Sequence, residues 1–501
     1  MQIARAVPDL MHRQMIPMAV GLSADCDCDC SLSLDATPLS HFVPHLPTTP
    51  YGSLQRVPGL HREQLSHGQE LIFNPLSSAG VIVLSKRAAR LLDSFGTPQP
   101  FSAAWQDPNL SFAYNMVEQL VAFELLADLN HPPTPTFQEP QVLSAWLHVT
   151  NACNLRCSYC YIRKAAEGMS PEIGRRSIDM LFDAAQRYGF SHLKLKYSGG
   201  EALLNLRLIL TLHAYARERA AATSISLQSV ILSNGIAISS HTAKNLREQG
   251  IGVSISLDGI GAYNDAHRSL IHGGGSFIHI QRAIRTLIEH GLSPTIAITV
   301  TDHSLEGLPS LFNALLDDNL PFTLSFYREN DYSACQTDLQ AGETRMIEVL
   351  LSAMRQIERR IPRRSLLGSL VDKANFLAAH ERTCAAGNNY MVIDQYGQVA
   401  KCQMEIEKPI TTIFADDPLA ILSKTQMGLQ SVPVDAKEGC RTCTWRYWCA
   451  GGCPVQTYRA TGRYDIRSPN CAIYKALIPA MLRLEGMRIA KYASECYSSD
   501  Y

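Results

Sequence analysis

Between residues 142 and 330 the chain repeats one pattern, a short apolar run followed by a segment with helical spacing, and that repetition leaves few folds open. The runs cover 143–150, 192–198, 224–233, 252–257, 294–301 and 322–327. Helical segments are predicted over 171–188, 206–220, 240–249, 277–290 and 305–318, the first opening after Ser170, whose hydroxyl suits an N-cap. Strands joined in this way by helices form a parallel sheet with right-handed crossovers. Six such units predict an α/β fold that closes into an open, partial barrel. Ligands of a barrel sit at the carboxyl ends of its strands, so chemistry is sought on the loops there.

The rest of the chain divides around this repeat. Its 501 residues exceed what one core absorbs, so roughly two to four domains are expected. Residues 1–50 read as an irregular tail rich in Pro, Ser and Thr, with the run Cys26-Asp27-Cys28-Asp29-Cys30, either a metal or redox tract or a polar leader. Residues 67–130 form a small unit: strands over 70–74 and 80–84 across an Asn-Pro-Leu-Ser-Ser-Ala turn, then helices over 86–95 and 116–129. A Pro-rich linker from His131 to Thr136 joins this unit to the repeat, which spans 142–330. From 380 to 475 cysteines crowd in, and 476–501 reads as a C-terminal helix and tail, the helix itself covering 472–492.

Composition narrows the class. Hydrophobic residues make up 46% and charged residues 18%, an ordinary globular balance. With Lys+Arg 45 against Asp+Glu 46 the net charge is -1, so nothing steers the molecule to nucleic acid or to a membrane surface. No apolar run is long enough to cross a bilayer. The apolar stretch 15–22 after Arg13 holds Pro17 and lacks a small-residue cleavage site, so it is not read as a signal peptide, and a cytoplasmic location is expected. Fifteen cysteines in such a chain point to metal binding rather than disulfides.

The sharpest local signal is Cys153-Asn-Leu-Arg-Cys157-Ser-Tyr-Cys160, placed directly after the first strand of the repeat. Three thiolates at this spacing can hold three irons of a cubane cluster and leave the fourth iron open to a small molecule. A zinc site completed by a fourth ligand such as His148 is the alternative. The CxxxCxxC spacing after a first strand, with Tyr159 before the last cysteine, weighs against it.

On these residues the chain resembles the radical S-adenosylmethionine (SAM) superfamily, and the likeness recurs strand by strand. Ser198-Gly199-Gly200-Glu201 follows the second strand and is similar to the family's GGE segment. Leu232-Ser233-Asn234-Gly235 ends the third, and Ser254-Ile255-Ser256-Leu257-Asp258-Gly259 ends the fourth, followed by Asn264-Asp265-Ala266-His267-Arg268. The resemblance implies a partial (βα)6 TIM-like barrel and one [4Fe–4S] cluster held by Cys153, Cys157 and Cys160. It implies SAM contacts at Glu201, Ser256 and Arg268, with Asn234 a further candidate and Gly199 and Gly200 admitting backbone close to the ligand. The implied chemistry is reductive cleavage of SAM to a 5′-deoxyadenosyl radical, with a reducing protein such as flavodoxin or ferredoxin as electron donor.

A second cysteine pattern follows: Cys384, Gly397 and Cys402, then Cys440-Arg-Thr-Cys443-Thr-Trp-Arg-Tyr-Trp-Cys449-Ala-Gly-Gly-Cys453, then Cys471. Its CX2CX5CX3C core resembles the SPASM domain, which implies two auxiliary [4Fe–4S] clusters. Carried over, Cys440, Cys443, Cys449 and Cys471 hold one, and Cys384, Cys402 and Cys453 hold three irons of the other. The stretch before Cys384 has no further cysteine, so the fourth iron is open to substrate or takes His380, Cys335 or a distant ligand. A zinc ribbon is the alternative for these pairs. Cys496 reads as an unremarkable thiol.

The SPASM resemblance implies a peptide or protein substrate. The 67–130 unit resembles the winged-helix leader-binding domain of ribosomal-peptide maturases, its alternative being a structural cap on the barrel. The expected activity is therefore modification of a ribosomally made precursor peptide by crosslinking, thioether formation, cleavage or epimerisation. Oxidation of a sulfatase-like protein, or radical chemistry on a small molecule, are the alternatives. In sulfatase maturases an Asp base follows the second SPASM cysteine, but here Gln403 follows Cys402. Asp258 and Tyr327, near strand ends, are the remaining acid–base candidates.

Overall fold

The computed structural model describes residues 3–5, 53–100, 110–128, 133–333 and 339–492. The Cys26-Cys28-Cys30 run, Cys335 and Cys496 lie outside them.

The N-terminal unit holds β1 (Ile3–Arg5), β2 (Ser53–Arg56), β3 (His61–Gln64), β4 (Glu70–Phe73), β5 (Val81–Leu84), α1 (Lys86–Ser94), β6 (Gln99–Pro100), α2 (Leu110–Ala122) and β7 (Leu126–Ala127). The expected hairpin is present as the antiparallel β4–β5 pair, set in a sheet of order β1-β5-β4-β3. Ser85 caps α1, its hydroxyl accepting from Ala88 N. Strands β4 and β5 are apolar on both faces because each face has a partner. Ile72, Ile82 and Leu84 pack on α1 and α2, while Leu71, Phe73, Val81 and Val83 join the main core. The second helix does not run to 129. It ends at Ala122, Glu124 turns to φ 55°, and β7 pairs with β2 instead. The Asn74 side chain fixes that reversal by donating to Glu124 O at 2.6 Å, a tertiary bond that overrides local helix propensity.

The repeat folds as expected in its main lines. Its elements are β8 (Val142–Thr150), β9 (Leu155–Cys157), α3 (Pro171–Arg187), β10 (His192–Gly199), α4 (Leu206–Thr223), β11 (Ser226–Ser233), α5 (Ser240–Gln249), β12 (Gly252–Ser256), α6 (Ala262–Asp265), β13 (Arg268–Leu270), α7 (Phe277–Glu289), β14 (Thr295–Val300), α8 (Asp302–Leu305), α9 (Leu308–Asp317) and β15 (Phe322–Phe326). Strands β8, β10, β11, β12, β14 and β15 pair in chain order, every pair parallel. Ser170 does cap α3, accepting from Ile173 N. The single helix expected over 305–318 is two. Thr301 opens α8 with a capping box, and Pro309 in the first turn of α9 starts a new helix beyond Gly307.

The C-terminal part contains α10 (Glu343–Arg359), β16 (Tyr390–Ile393), β17 (Gln398–Ala400), β18 (Thr411–Thr412), α11 (Pro418–Lys424), α12 (Arg446–Cys449), α13 (Pro454–Thr461) and α14 (Cys471–Tyr492). Strand β16 adds to the sheet parallel to β8, and β17 and β18 extend it antiparallel without crossover helices. The C-terminal cysteines therefore hang from the same sheet as the first cysteine loop.

Candidate active site

The first cysteine loop is bound to two other strand ends. Within it, β9 pairs antiparallel with β13, placing Cys157 opposite Arg268. Ser158 Oγ lies 2.8 Å from His267 Nδ1, and His267 Nε2 lies 2.7 Å from Thr301 Oγ1. On the other side, Gly200 N donates to Thr150 O at 2.7 Å and Glu201 N to Ala152 O at 2.8 Å. A Cβ at Gly199 would stand 2.3 Å from Thr150 O, and one at Gly200 2.3 Å from Ala152 O. What these glycines admit is the backbone of the cysteine loop, where the sequence reading expected a ligand.

Glu201 is buried and its carboxylate accepts from Leu203 N at 3.0 Å, Ser233 Oγ at 2.9 Å and Asn234 N at 2.7 Å. Burial raises its pKa; the three donors and the Arg268 charge pull against that. A carboxylate has about four acceptor positions, which leaves Glu201 room for one more donor. Asn234 Nδ2 donates to Asn154 Oδ1 at 2.7 Å and lies 3.7 Å from Cys153 Sγ, inside the loop. Ser256 ends β12, half-buried. Arg268 is buried, its Nη1 donating to Tyr159 Oη at 2.6 Å and standing 3.8 Å from Asp258 Oδ2. The Tyr159 hydroxyl donates to Asp258, which also accepts from Thr299 N at 2.8 Å. Asp258 thus anchors Arg268 and Tyr159.

The chemistry of this loop fits an iron–sulfur cluster and an anionic ligand beside it. Burial raises the Cys157 thiol to about 12, against the pull of Arg268, and raises Cys153 against Lys164. Lys164 Nζ donates to Cys160 Sγ at 3.0 Å. Arg268 and Lys164 stand beside these sulfurs and would offset the negative charge of thiolates bound to iron. Arg268 Nε is buried with no acceptor among the described residues, a costly arrangement unless a ligand supplies one. Among the described residues no three His, Cys, Asp or Glu side chains converge tightly enough to chelate one ion. The suggested zinc ligand His148 has its Nε2 2.7 Å from Asn151 Oδ1, while its buried Nδ1 has no partner among the described residues, and burial lowers its pKa to about 4.

The C-terminal cysteines sort as the sequence pairs them. Cys440, Cys443, Cys449 and Cys471 line one small cavity with Arg446, Arg467, Tyr474 and Lys475. Cys384, Cys402 and Cys453 are buried in another cluster, against Trp146 of β8. His380 is buried, with Nδ1 3.1 Å from Ala378 O, and burial lowers its pKa to about 4.

A cavity of about 150 Å³ joins the halves of the site. Its lining includes Cys160 and Tyr161 of the first cysteine loop, the strand-end residues Thr299, Ser325 and Phe326, and Cys402, Gln403 and Cys453 of the C-terminal part. Tyr327 lies in the lining, its hydroxyl 2.7 Å from Ser333 Oγ. Gln403 accepts from the Tyr390 hydroxyl at 3.0 Å. Sequence reasoning missed Lys164, four residues after Cys160, and Lys437, three residues before Cys440, although both stand close to ligand cysteines in the chain.

A sequence profile of the radical SAM superfamily matches residues 147–307. The chain is 27% identical to the Fe-coproporphyrin III synthase of Methanosarcina barkeri over 42% of this chain and 51% of that one. It is 22% identical to the serine-type anaerobic sulfatase-maturating enzyme of Klebsiella aerogenes over 61% of this chain and 77% of that one. The chain spans about half the length of the first of these curated relatives. Among solved structures it is similar in fold to native anSMEcpe with bound AdoMet and Cp18Cys peptide, with a TM-score of 0.58, 18% identity, and coverage of 70% of this chain and 99% of that one.

Proposed function

We propose that this chain, whose residues 147–307 are a radical SAM domain, is a maturase that modifies a ribosomally made precursor peptide. The observation that carries the reading is one cavity whose lining includes Cys160 of the first cysteine loop together with Cys402 and Cys453 of the C-terminal part. Cys153, Cys157 and Cys160 would hold the [4Fe–4S] cluster of the radical SAM domain. Glu201, Arg268, Ser256 and Asn234 would hold SAM: Glu201 through its remaining acceptor position, Arg268 through its unused Nε donor. Cluster and SAM, when bound, supply a 5′-deoxyadenosyl radical able to take an unactivated hydrogen. Cys440, Cys443, Cys449 and Cys471 would hold one auxiliary cluster, and Cys384, Cys402 and Cys453 the other.

The chain's own residues would position the target and exclude water. Phe326, Met404, Leu429, Pro454 and Val455 give the cavity an apolar wall. No Asp, Glu, His or Lys lines it among the described residues. Gln403, where sulfatase maturases have Asp, cannot take a proton. This favours a peptide reaction without a protein base at that position over sulfatase maturation. The N-terminal unit offers β3 as the edge of its sheet, where a leader peptide can add a strand through backbone hydrogen bonds. The porphyrin-enzyme relative favours a second reading, a tetrapyrrole substrate.

The test is anaerobic reconstitution of the full chain, then incubation with SAM, a flavodoxin or ferredoxin reducing system and any short peptide encoded beside its gene. The expected result is about twelve irons per chain, formation of 5′-deoxyadenosine and a mass change in the peptide. Turnover of a porphyrin with no change in any peptide would replace this reading by the second.

A further inference from the structure

The two auxiliary cysteine sets share one buried cation. Lys437 is 3% exposed, and among the described residues no carboxylate pairs with it. Its Nζ donates to Ala450 O at 2.8 Å, and the same carbonyl accepts from Thr383 Oγ1 at 2.7 Å. Ala450 lies between Cys449 and Cys453, and Thr383 precedes Cys384, so one carbonyl ties the lysine to segments that carry ligands of both sets. A Cβ placed on Gly451 would meet Lys437 Nζ at 3.0 Å and Cys440 Sγ at 3.4 Å, so ammonium and sulfur flank the same point. The Lys437 charge acts on Cys440 and Cys449 of one set and on Cys384 and Cys453 of the other.

An ammonium is strongly hydrated, and burying one without a carboxylate is unfavourable unless another anion compensates. Burial lowers the Lys437 pKa, and among the described residues the groups that raise it again are the sulfurs of Cys440, Cys384, Cys449 and Cys453. A [4Fe–4S] cluster bound by thiolates is anionic and gains one more negative charge on reduction. A cation fixed nearby therefore stabilises the reduced form more than the oxidised form.

We propose that Lys437 is the shared counter-cation of the two auxiliary clusters and raises the reduction potential of both. This rests on the auxiliary-cluster reading above. The half-reaction concerned is one-electron reduction of each cluster, with dithionite as the electron source. Lys437 touches no reacting atom and is a positioning residue for charge.

The experiment uses the full chain, reconstituted anaerobically, with C153A, C157A and C160A removing the SAM-binding cluster. Lys437→Gln and Lys437→Arg are made in that background. Iron is counted first. About eight irons in the parent are required; fewer than that overturns the auxiliary-cluster reading itself, before Lys437 is tested. With iron intact, an EPR-monitored redox titration should show both signals harder to reduce in Lys437→Gln. The expected shift is at least tenfold in each reduction equilibrium, which is about 59 mV for one electron. Lys437→Arg should stay near the parent. Unchanged potentials in Lys437→Gln overturn the proposal. So does equal loss of iron from both variants, because shape rather than charge would then account for the residue.

Discussion

Gly200 has no room for a methyl group. A Cβ there would lie 2.3 Å from Ala152 O and 2.6 Å from Asn151 O, both backbone atoms of the cysteine loop. Overpacking of this kind costs about 1–3 kcal/mol and is relieved only by moving the loop. Gly200→Ala is therefore expected to lose at least tenfold in 5′-deoxyadenosine formation while the chain stays folded, as circular dichroism would show. His148 supports a pH prediction. Its folded pKa is near 4, below the ordinary 6.5, because burial disfavours the charged ring. The unfolded chain then binds the proton first, so this contribution to stability is whole above pH 6.5 and is lost as pH falls toward 4. The full loss is about 3 kcal/mol. His148→Gln should flatten the fall in melting temperature between pH 7 and 5.5; an unchanged slope would show that another group controls it. The histidine was visible in the sequence, but its partner Asn151 and its burial were not, since both follow from the turn that ends β8.

At the scale of elements, the β9–β13 pair decides the geometry of the site. It brings Arg268 from beyond the fourth parallel strand to Cys157 beyond the first, which no local periodicity reveals. Removing one partner of a buried ion pair typically costs about 3–5 kcal/mol. Arg268→Met leaves Asp258 without its cation and is expected to destabilise the chain by about 3 kcal/mol in denaturant unfolding. Binding of SAM should weaken in parallel, as equilibrium dialysis would measure. The parallel strands were legible because buried apolar runs separated by capped helices have few other solutions. Helix α10 was not predicted although it spans 17 residues, and the end of α2 was placed too late because Asn74 and β2 set it from a distance.

For the whole molecule, α14 joins the parts. Beginning at Cys471, it packs on α10 and on the N-terminal strand β5. Arg483 bridges to Glu63 at 2.6 Å, and Trp448 Nε1, next to Cys449, donates to Pro75 O at 2.9 Å. A Cβ at Gly486 would stand 2.5 Å from Leu71 Cδ1. Gly486→Val is expected to destabilise this docking by about 1–3 kcal/mol and to speed proteolysis between residues 53 and 100, with iron content unchanged. Cys449→Ala, by contrast, should remove about four irons and leave SAM cleavage without peptide largely intact.

The sequence alone determined the ligand chemistry and the parallel sheet. Thiol spacing is a local, covalent property, and apolar runs with capped helices between them obey short-range rules. The tertiary structure decided which residues come together: Arg268 opposite Cys157, Gln403 and Cys160 in the lining of one cavity, Lys437 beside Cys440, and β16 beside β8 in the sheet. Those contacts join residues far apart in the chain, and burial, which gives each its energetic weight, exists only once the core has closed.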